Sequence, residues 1–219
     1  MASAPFVTLM VLRPLHVVDH PLLARQIAVL RSVATGREQF RAALAEAAGA
    51  LAYEALRDVP VAEVTVRTPL EETTGAALAH PVMVVAVLRA GLGMVDGFLR
   101  LVPDAAVGHL GMRRNEETLQ PEDYYESLPA GVEASTVFVV DPMLATGGSA
   151  VAALARMRRA GARDLRLVCL VAAPEGVAAV HAAFPDVPIT VGALDRGLDA
   201  RGYIRPGLGD AGDRIFGTE

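Results

Sequence analysis

The sequence predicts an α/β protein in which a parallel, twisted sheet is flanked by helices. Short apolar runs rich in β-branched residues recur along the 219 residues, and stretches with apolar residues three and four positions apart stand between them. This alternation is typical of a doubly wound sheet with right-handed crossovers. No internal repeat, low-complexity tract or linker divides the chain, so we expect a single domain over residues 1–219.

The predicted strands are too short for helices, and several are continuous apolar runs, as expected for strands buried on both faces. They lie at residues 61–68, 81–88, 105–112, 137–141, 165–172 and 189–194. The predicted helices lie at residues 22–31, 37–56, 95–101, 150–160 and 175–183. Residues 1–20 are predicted to be an extended N-terminal arm, and the polar residues 71–75 a connection.

Composition and charge narrow the classes of function. Hydrophobic residues make up 53% of the chain and the mean hydropathy is +0.38, yet no apolar stretch is long enough to span a membrane. We therefore expect a buried sheet plus a subunit interface, in a homodimer or higher homo-oligomer. The net charge of −5 argues against nucleic-acid binding as the main activity. The single cysteine, Cys169, is predicted to be an inert core residue of a cytoplasmic protein.

A candidate phosphate site follows the apolar run at residues 137–140. The run ends at Asp141, and Pro142 leads into the sequence Ala-Thr-Gly-Gly-Ser at 145–149 and then into a helix. The N–H groups of a first helical turn attract anions, and glycines let the backbone approach closely. Asp141 would lie within reach of ligand hydroxyls or a cation. The alternative is an ordinary strand-to-helix turn that Ser149 caps.

A second candidate anion contact is Arg89, which follows the apolar run 81–88 and precedes Gly91 and Gly93. An arginine beside a glycine-bearing turn at the end of a strand suits an anion. The alternative is a surface arginine that happens to follow a strand.

The long polar insertion at residues 113–130 contains Tyr124 and Tyr125. Such an insertion in a compact α/β chain is typical of a lid or binding loop. The alternative is a solvated hairpin without a function.

The C-terminal segment, residues 195–219, contains a formal G-x-G-x-x-G at Gly207, Gly209 and Gly212. We do not interpret it as a dinucleotide site, because it follows a Pro/Gly turn instead of a strand and we expect no helix after it. We predict a rigid loop that presents backbone N–H and C=O groups, with Asp210 among its glycines. Such groups suit a small planar ring with alternating donors and acceptors.

Taken together, these segments resemble a known family over almost the full length of the chain. Residues 141–149 resemble the phosphoribosyl-diphosphate motif of type I phosphoribosyltransferases in general. The tail Pro-Gly-Leu-Gly-Asp-Ala-Gly-Asp-Arg-Ile-Phe-Gly-Thr at 206–218, with residues 88–94 and 114–118, is similar to the uracil phosphoribosyltransferase family. The resemblance implies the type I phosphoribosyltransferase fold. In it, the N-terminal arm and the C-terminal segment form a small hood, and residues 113–130 form a lid.

The resemblance also implies an activity. Members of this family convert uracil and 5-phospho-α-D-ribose 1-diphosphate (PRPP) to uridine monophosphate (UMP) and diphosphate, with Mg²⁺, in pyrimidine salvage. Carried over by position, Asp210, Arg89 and Arg114 are the predicted catalytic residues, and register favours Arg114 over the neighbouring Arg113. Mg²⁺ would be held through PRPP, with Asp210 as a further candidate ligand, and GTP is a candidate effector.

The resemblance assigns the two substrates to different segments. Uracil is assigned to Ile204, Gly209, Asp210 and Ala211, mostly through main-chain groups. The residues assigned to PRPP are Arg89, Arg114, Asp141, Pro142, Met143, Leu144, Ala145, Thr146, Gly147, Gly148, Ser149 and Asp210.

Two alternatives share the same fold. A pyrimidine-sensing, RNA-binding attenuation regulator would need a basic face, which the acidic balance of the chain disfavours. A phosphoribosyltransferase for another base, such as orotate or a purine, is disfavoured by the amino-acid sequence of the tail.

Overall fold

The computed structural model of the protein describes residues 15–114 and 121–218, without the side chains of residues 113, 114 and 121–123. The helices of this part are α1 (Pro21–Arg31), α2 (Arg37–Ala55), α3 (Leu92–Leu99), α4 (Gly148–Arg159), α5 (Pro174–Ala183) and α6 (Ala211–Phe216). Its strands are β1 (Leu15–Val17), β2 (Val61–Arg67), β3 (Glu72–Leu78), β4 (Val82–Leu88), β5 (Ala106–Arg114), β6 (Pro121–Ser127), β7 (Thr136–Val140), β8 (Met143–Leu144), β9 (Asp164–Ala172), β10 (Ile189–Leu194), β11 (Gly197–Leu198) and β12 (Ile204–Arg205).

The main sheet has the strand order β1-β10-β9-β7-β4-β5-β6, and β8 pairs with the end of β9. Neighbouring strands are parallel except for the antiparallel pair of β5 and β6. The strands β4 and β7 lie at the centre, and both are buried along nearly their whole length. The predicted parallel sheet is therefore confirmed, and the continuous apolar runs are its central strands.

Alternate residues of the central strands face two different helix layers. On β4, Val82, Val84 and Ala86 pack in the cluster that holds the buried faces of α1, α2 and α3. Met83 and Val85, which point the other way, pack in the cluster that holds α4 and α5. The sheet thus has a core on both faces, and this is why β4 carries no polar residue between positions 82 and 88.

The functional edge of the sheet follows from its connections. The chain leaves β4 through α3 to β5 on one side, and it leaves β7 through α4 to β9 on the other. The helices α3 and α4 also pack on opposite faces. A crevice therefore opens beyond the carboxyl ends of β4 and β7, which is where open α/β sheets bind ligands.

The prediction of a polar connection at residues 71–75 was wrong. Residues 72–75 belong to β3, which pairs with β2 in an antiparallel hairpin from Val61 opposite Leu78 to Arg67 opposite Glu72. Both strands are almost wholly exposed. A strand with solvent on both faces shows no clear apolar alternation, so the sequence of β3 does not indicate a strand.

The arm predicted at residues 1–20 is only partly described, because residues 1–14 lie outside the described residues. Its end forms β1, which pairs in parallel with β10 and adds an edge strand to the main sheet. The hood that this arm was expected to form with the C-terminal segment stays a prediction.

The expectation that no helix follows the glycine motif was also wrong. The short helix α6 begins directly after Asp210, whose side chain caps it by accepting a hydrogen bond from the Asp213 N–H at 2.9 Å. It ends at Gly217, which has φ +72°. An acid at the N-cap and a glycine after the last turn are sufficient signals for a helix of this length.

Two further expectations concern the core and the membrane. Cys169 is fully buried and carries a free thiol, as predicted, and burial raises its pKa. Within residues 15–114 and 121–218, no helix combines the length and apolar character needed to cross a membrane.

Candidate active site

A cleft of about 310 Å³ lies at the crevice beyond β4 and β7. Four of the residues predicted for the site line it together: Arg89, Asp141, Ser149 and Asp210. They come from the ends of two strands, the start of α4 and the C-terminal tail, so the fold brings together segments up to 121 residues apart in sequence, from 89 to 210. Val87, Leu88, Ala90, Met112, Tyr124 and Gly212 complete the lining.

The candidate phosphate loop, residues 141–149, is fixed by backbone contacts. Its Met143 and Leu144 form β8 and extend the sheet by pairing with β9, and the Ala173 N–H donates to the Leu144 carbonyl at 2.9 Å. Gly147 has φ +85°, and a Cβ there would lie 2.9 Å from the Gly176 carbonyl oxygen. A side chain at position 147 would therefore meet both a steric clash and an unfavourable backbone angle.

The start of α4 follows this loop directly. Gly147 is the N-cap and Gly148 the first helical residue, so Ser149 lies inside the helix and the alternative in which Ser149 caps it was wrong. The first N–H groups of a helix have no partner within the helix and carry its positive dipole end. This end opens at the cleft, where Ser149 is exposed.

Asp141 stands at the carboxyl end of β7 and is only partly exposed. Its Oδ1 accepts a hydrogen bond from the Met143 N–H at 3.3 Å. Burial, with a smaller contribution from the negative charge of Asp210, raises the pKa of Asp141 to about 7. Asp210 lines the same cleft, and its negative charge disfavours the ionised form of Asp141.

Arg89 stands at the carboxyl end of β4, beside a turn that packs tightly against β7. A Cβ on Gly91 would lie 2.5 Å from the Val140 carbonyl oxygen, so only glycine fits there. The Arg89 side chain is about half exposed, with Nη2 3.5 Å from Asp213 Oδ1 and its guanidinium carbon 5.9 Å from the centre of the Phe216 ring. It thus reaches across the cleft towards α6 while remaining accessible to an anion.

Asp210 is exposed and caps α6, as described above. Gly212 separates it from Arg89, because a Cβ on Gly212 would lie 3.2 Å from Asp210 Oδ1 and 4.0 Å from Arg89 Nη2. The start of α6 thus places the Asp210 carboxylate in the same cleft as the Arg89 guanidinium.

The other predicted uracil-binding residues do not line this cleft. The side chains of Ile204 and Ala211 are buried in the core, at 4% and 2% exposure. These side chains pack in the core. Their predicted role, contact with a ligand through the main chain, stays a prediction. The C-terminal segment also approaches the phosphate loop, since a Cβ on Gly202 would lie 3.9 Å from the Thr146 methyl group.

Arg114 is the last residue of β5, and its side chain is not among those described. Since Leu88 at the end of β4 pairs with Gly111, the backbone of Arg114 lies three residues beyond that edge. The same limit applies to Arg113, and residues 115–120 of the predicted lid lie outside the described residues. The described remainder includes β6, whose Tyr124 lines the cleft and packs against Gly111.

Three residues that fix the tail were not predicted: Arg31, Asp195 and Arg214. Asp195 is buried and directly follows β10, as Asp141 follows β7. An acid directly after an apolar run was thus a signal that the sequence contained twice. The two arginines carried no comparable local signal.

The cleft combines groups suited to a phosphorylated sugar. The α4 N-terminus and Arg89 attract anions, while Asp141 and Asp210 can accept hydrogen bonds from hydroxyls or ligate a divalent cation. Within the described residues no group of three or more His, Cys, Asp or Glu side chains could hold a metal ion. Two carboxylates fit Mg²⁺ that arrives with a substrate, because Mg²⁺ is usually held by one or two carboxylates plus substrate phosphates.

Comparisons with known proteins agree with this geometry. The uracil phosphoribosyltransferase family model matches residues 17–218. The chain is 57% identical over 202 residues to the uracil phosphoribosyltransferase of Salinibacter ruber, covering 92% of this chain and 96% of that protein. It is 51% identical over 205 residues to the corresponding protein of Halalkalibacterium halodurans, covering 93% and 98%. The solved structure of the AQ2163 protein from Aquifex aeolicus is similar with a TM-score of 0.89 at 39% identity, covering 94% of this chain and 99% of that one.

Proposed function

Because the chain belongs to the uracil phosphoribosyltransferase family, we propose that its cleft converts uracil and PRPP to UMP and diphosphate. The protein is then a glycosyltransferase of pyrimidine salvage with the type I phosphoribosyltransferase fold. The observation that carries the proposal is the meeting of the phosphate loop, Arg89 and the tail residue Asp210 in one cleft. The first two suit a phosphorylated sugar, and the tail adds main-chain groups for a base.

The proposed roles follow from the charges that the reaction develops. Displacement of diphosphate from the anomeric carbon builds positive charge on the ribose and negative charge on the leaving group. The amides of residues 145–149 hold the 5-phosphate and Asp141 engages the ribose hydroxyls. Arg89 and Arg114 stabilise the departing diphosphate. Ile204 and residues 209–211 orient uracil for attack, which makes the reaction effectively unimolecular.

Mg²⁺ is proposed as the cofactor, bound to PRPP and in reach of Asp210 and Asp141. When bound, it would neutralise charge on the diphosphate. The insertion at residues 113–130 is proposed to exclude water, which would otherwise hydrolyse the activated ribose.

A homodimer or higher homo-oligomer is proposed as the working state. The hairpin of β2 and β3 stands apart from the main sheet, and an isolated two-stranded hairpin is marginally stable in water. It exposes Val61, Leu70 and Leu78, and Tyr53 and Leu101 are exposed as well. A second subunit that covers this surface would account for the apolar excess of the composition. Sedimentation with and without GTP, with activity measured on the same samples, tests both the assembly and the proposed effector.

A cytoplasmic location also stays a proposal. It is supported by Cys169, a free thiol that the structure keeps fully buried. Fractionation of cells with an antibody to the protein tests it.

The experiment that tests the function supplies purified protein with PRPP, Mg²⁺ and radiolabelled uracil, cytosine or orotate in separate reactions. We expect UMP from uracil and no product from the other two bases. Product from orotate alone would favour a different phosphoribosyltransferase, and no product above background from any base would contradict an enzymatic role.

A further inference from the structure

The C-terminal segment from residue 195 onwards, called the tail here, carries the residues proposed to bind uracil. It makes few backbone contacts with regular structure. Its β11 and β12 pair only over two residues, Gly197 with Arg205 and Leu198 with Ile204. Between Ile204 and Gly209, the chain turns through Gly207, which has φ +62°. The base-reading backbone groups lie on both sides of this turn, so their separation depends on how the turn is held.

An ion pair between Arg31 and Asp195 holds the turn in place. Arg31, the last residue of α1, donates to both oxygens of Asp195, from Nη1 to Oδ2 at 2.9 Å and from Nη2 to Oδ1 at 2.5 Å. Asp195 Oδ2 also accepts from the Gly207 N–H at 2.9 Å, and Arg31 Nη1 donates to the Gly207 carbonyl at 2.8 Å. Both backbone groups of Gly207 are thus bound by one ion pair, whose carboxylate side chain is only 4% exposed.

The guanidinium of Arg214 binds the residue after Gly207, which is Leu208. Arg214 Nη1 donates to the Leu208 carbonyl at 2.9 Å and also to the Leu30 carbonyl, and its Nη2 donates to the Ser32 carbonyl at 2.7 Å. Its guanidinium carbon lies 4.3 Å from the centre of the Phe40 ring. Arg214 therefore ties the tail to the end of α1, where the negative end of the helix dipole favours cations.

We propose that Arg31, Asp195 and Arg214 form a tail clamp that positions the main-chain groups of Ile204 and residues 209–211 for the base. These three are positioning residues, since Arg31 and Asp195 bind each other and the backbone of the turn, and Arg214 joins the turn to the end of α1. The inference rests on the proposed role of the tail in uracil binding. It differs from a purely structural role in one respect: loosening the clamp should raise KM for uracil much more than KM for PRPP, because Asp210 is the only residue of the C-terminal segment that is assigned to PRPP.

The phosphate side of the cleft supplies the reason for this selectivity. The phosphate loop is fixed by β8 pairing with β9 and by the packing of Gly147 on Gly176, and neither contact involves the clamp. A binding loop that loses pre-organisation loses affinity for its own ligand first.

Arg166 offers a matched control. Like the clamp arginines, it donates to a main-chain carbonyl, that of Ala55 at 3.2 Å, and it pairs with Asp58 and Asp164. It also stacks on a phenylalanine, with its guanidinium carbon 5.6 Å from the centre of the Phe138 ring. It lies in the amino-terminal half of β9, away from the cleft, so its replacement should affect stability alone.

The test compares Arg31→Lys, Arg214→Lys and Asp195→Asn with Arg166→Lys and the wild type, by steady-state kinetics with each substrate varied and by thermal unfolding. We expect the clamp variants to raise KM for uracil about tenfold or more, as a lost charged hydrogen bond at a buried site predicts, and to change KM for PRPP by less than about twofold. Arg166→Lys should lower Tm and leave both KM values unchanged.

Three outcomes would overturn the inference: an unchanged KM for uracil in all clamp variants, a parallel rise of both KM values, or an equal rise of KM for uracil in Arg166→Lys. Arg31→Lys keeps the charge balance of the pair, so it remains informative if Asp195→Asn does not fold. A wild type that makes no UMP would contradict the proposed function itself, which separates that failure from failure of the clamp.

Discussion

The phosphate loop and the C-terminal tail form two halves of one cleft, but they are built differently. The loop at residues 141–149 is held by its own strand, β8, and by a glycine packed against the next helix. The tail is held by side chains whose partners lie far away in sequence, with Arg31 bound to Asp195 across 164 residues and Arg214 bound to Ser32 across 182. If the two halves have the roles proposed for them, binding of the sugar phosphate depends on local structure, whereas selection of the base depends on long-range packing.

This comparison predicts that a single methyl group can disable the phosphate half. Gly147→Ala adds a Cβ 2.9 Å from a backbone oxygen, at a residue with φ +85°. We expect kcat/KM for PRPP to fall about 100-fold or more, and the free energy of unfolding to fall by about 2–3 kcal/mol. Enzyme kinetics and urea unfolding measure the two effects.

Gly131→Ala is the control for this substitution. Gly131 has the same φ of +85°, but a Cβ there would meet no atom within 4 Å. It should cost stability of about 1–2 kcal/mol from the backbone angle alone and leave the kinetics unchanged. Equal kinetic losses in both variants would mean that the packing of the phosphate loop does not govern PRPP binding.

The next largest effect is expected where the two halves meet. Asp210→Asn removes a charge beside Arg89 but keeps a side chain that caps α6, since Asn and Asp are comparable N-caps. We expect kcat to fall about 10- to 100-fold while the free energy of unfolding changes by less than about 0.5 kcal/mol.

Asp210→Ala separates the charge from the cap. It should lose the same kcat and, in addition, about 1 kcal/mol of stability with the lost N-cap. If the kinetics of Asp210→Asn match those of the wild type, Asp210 only shapes the tail and the two halves do not cooperate through it.

The smallest effect concerns Asp141 and depends on pH. Its pKa rises from 3.8 to about 7 on folding, so the unfolded chain releases this proton at lower pH than the folded protein does. The folded state therefore loses stability as pH rises from about 4 to about 7, and this loss persists above pH 7. Asp141→Asn should raise Tm by about 3–8 °C at pH 8 and hardly at all at pH 4.

The kinetic counterpart is that kcat/KM for PRPP in the wild type falls as pH drops below about 7, because a protonated Asp141 accepts hydrogen bonds from ribose less well. Asp141→Asn should flatten this part of the profile. A Tm difference that does not depend on pH would show that burial does not perturb Asp141.

The same contrast explains what could be predicted from the sequence. The burial of β4 and β7 on both faces and the loop that starts α4 follow from local apolar runs and glycines, and both were predicted. The order of the strands in the sheet was not predicted, because it depends on contacts between distant segments. The hairpin strand β3 was missed because both of its faces are exposed, which removes the pattern on which strand prediction depends. The helix α6 was missed because it is short, although Asp210 and Gly217 mark its two ends.

The residues of the candidate site also fall into those that the sequence indicates and those that only the structure reveals. Arg89 and Asp141 stand at strand ends, where the sequence alone indicates a ligand contact. Arg31 and Arg214 lie on helices, and their role exists only once α1 and the tail are packed together. A structure is needed to identify such side chains, because the residues that they hold in place are distant in sequence.

A crystal structure of the protein with UMP would show whether one half of the cleft holds the phosphate and the other selects the base. We expect the phosphate at the N-terminus of α4, within hydrogen-bond distance of the amides of residues 145–149. We expect the uracil ring against the main chain of Ile204 and residues 209–211. A uracil ring bound outside the C-terminal segment, or a phosphate held away from α4, would contradict the proposed division of the cleft.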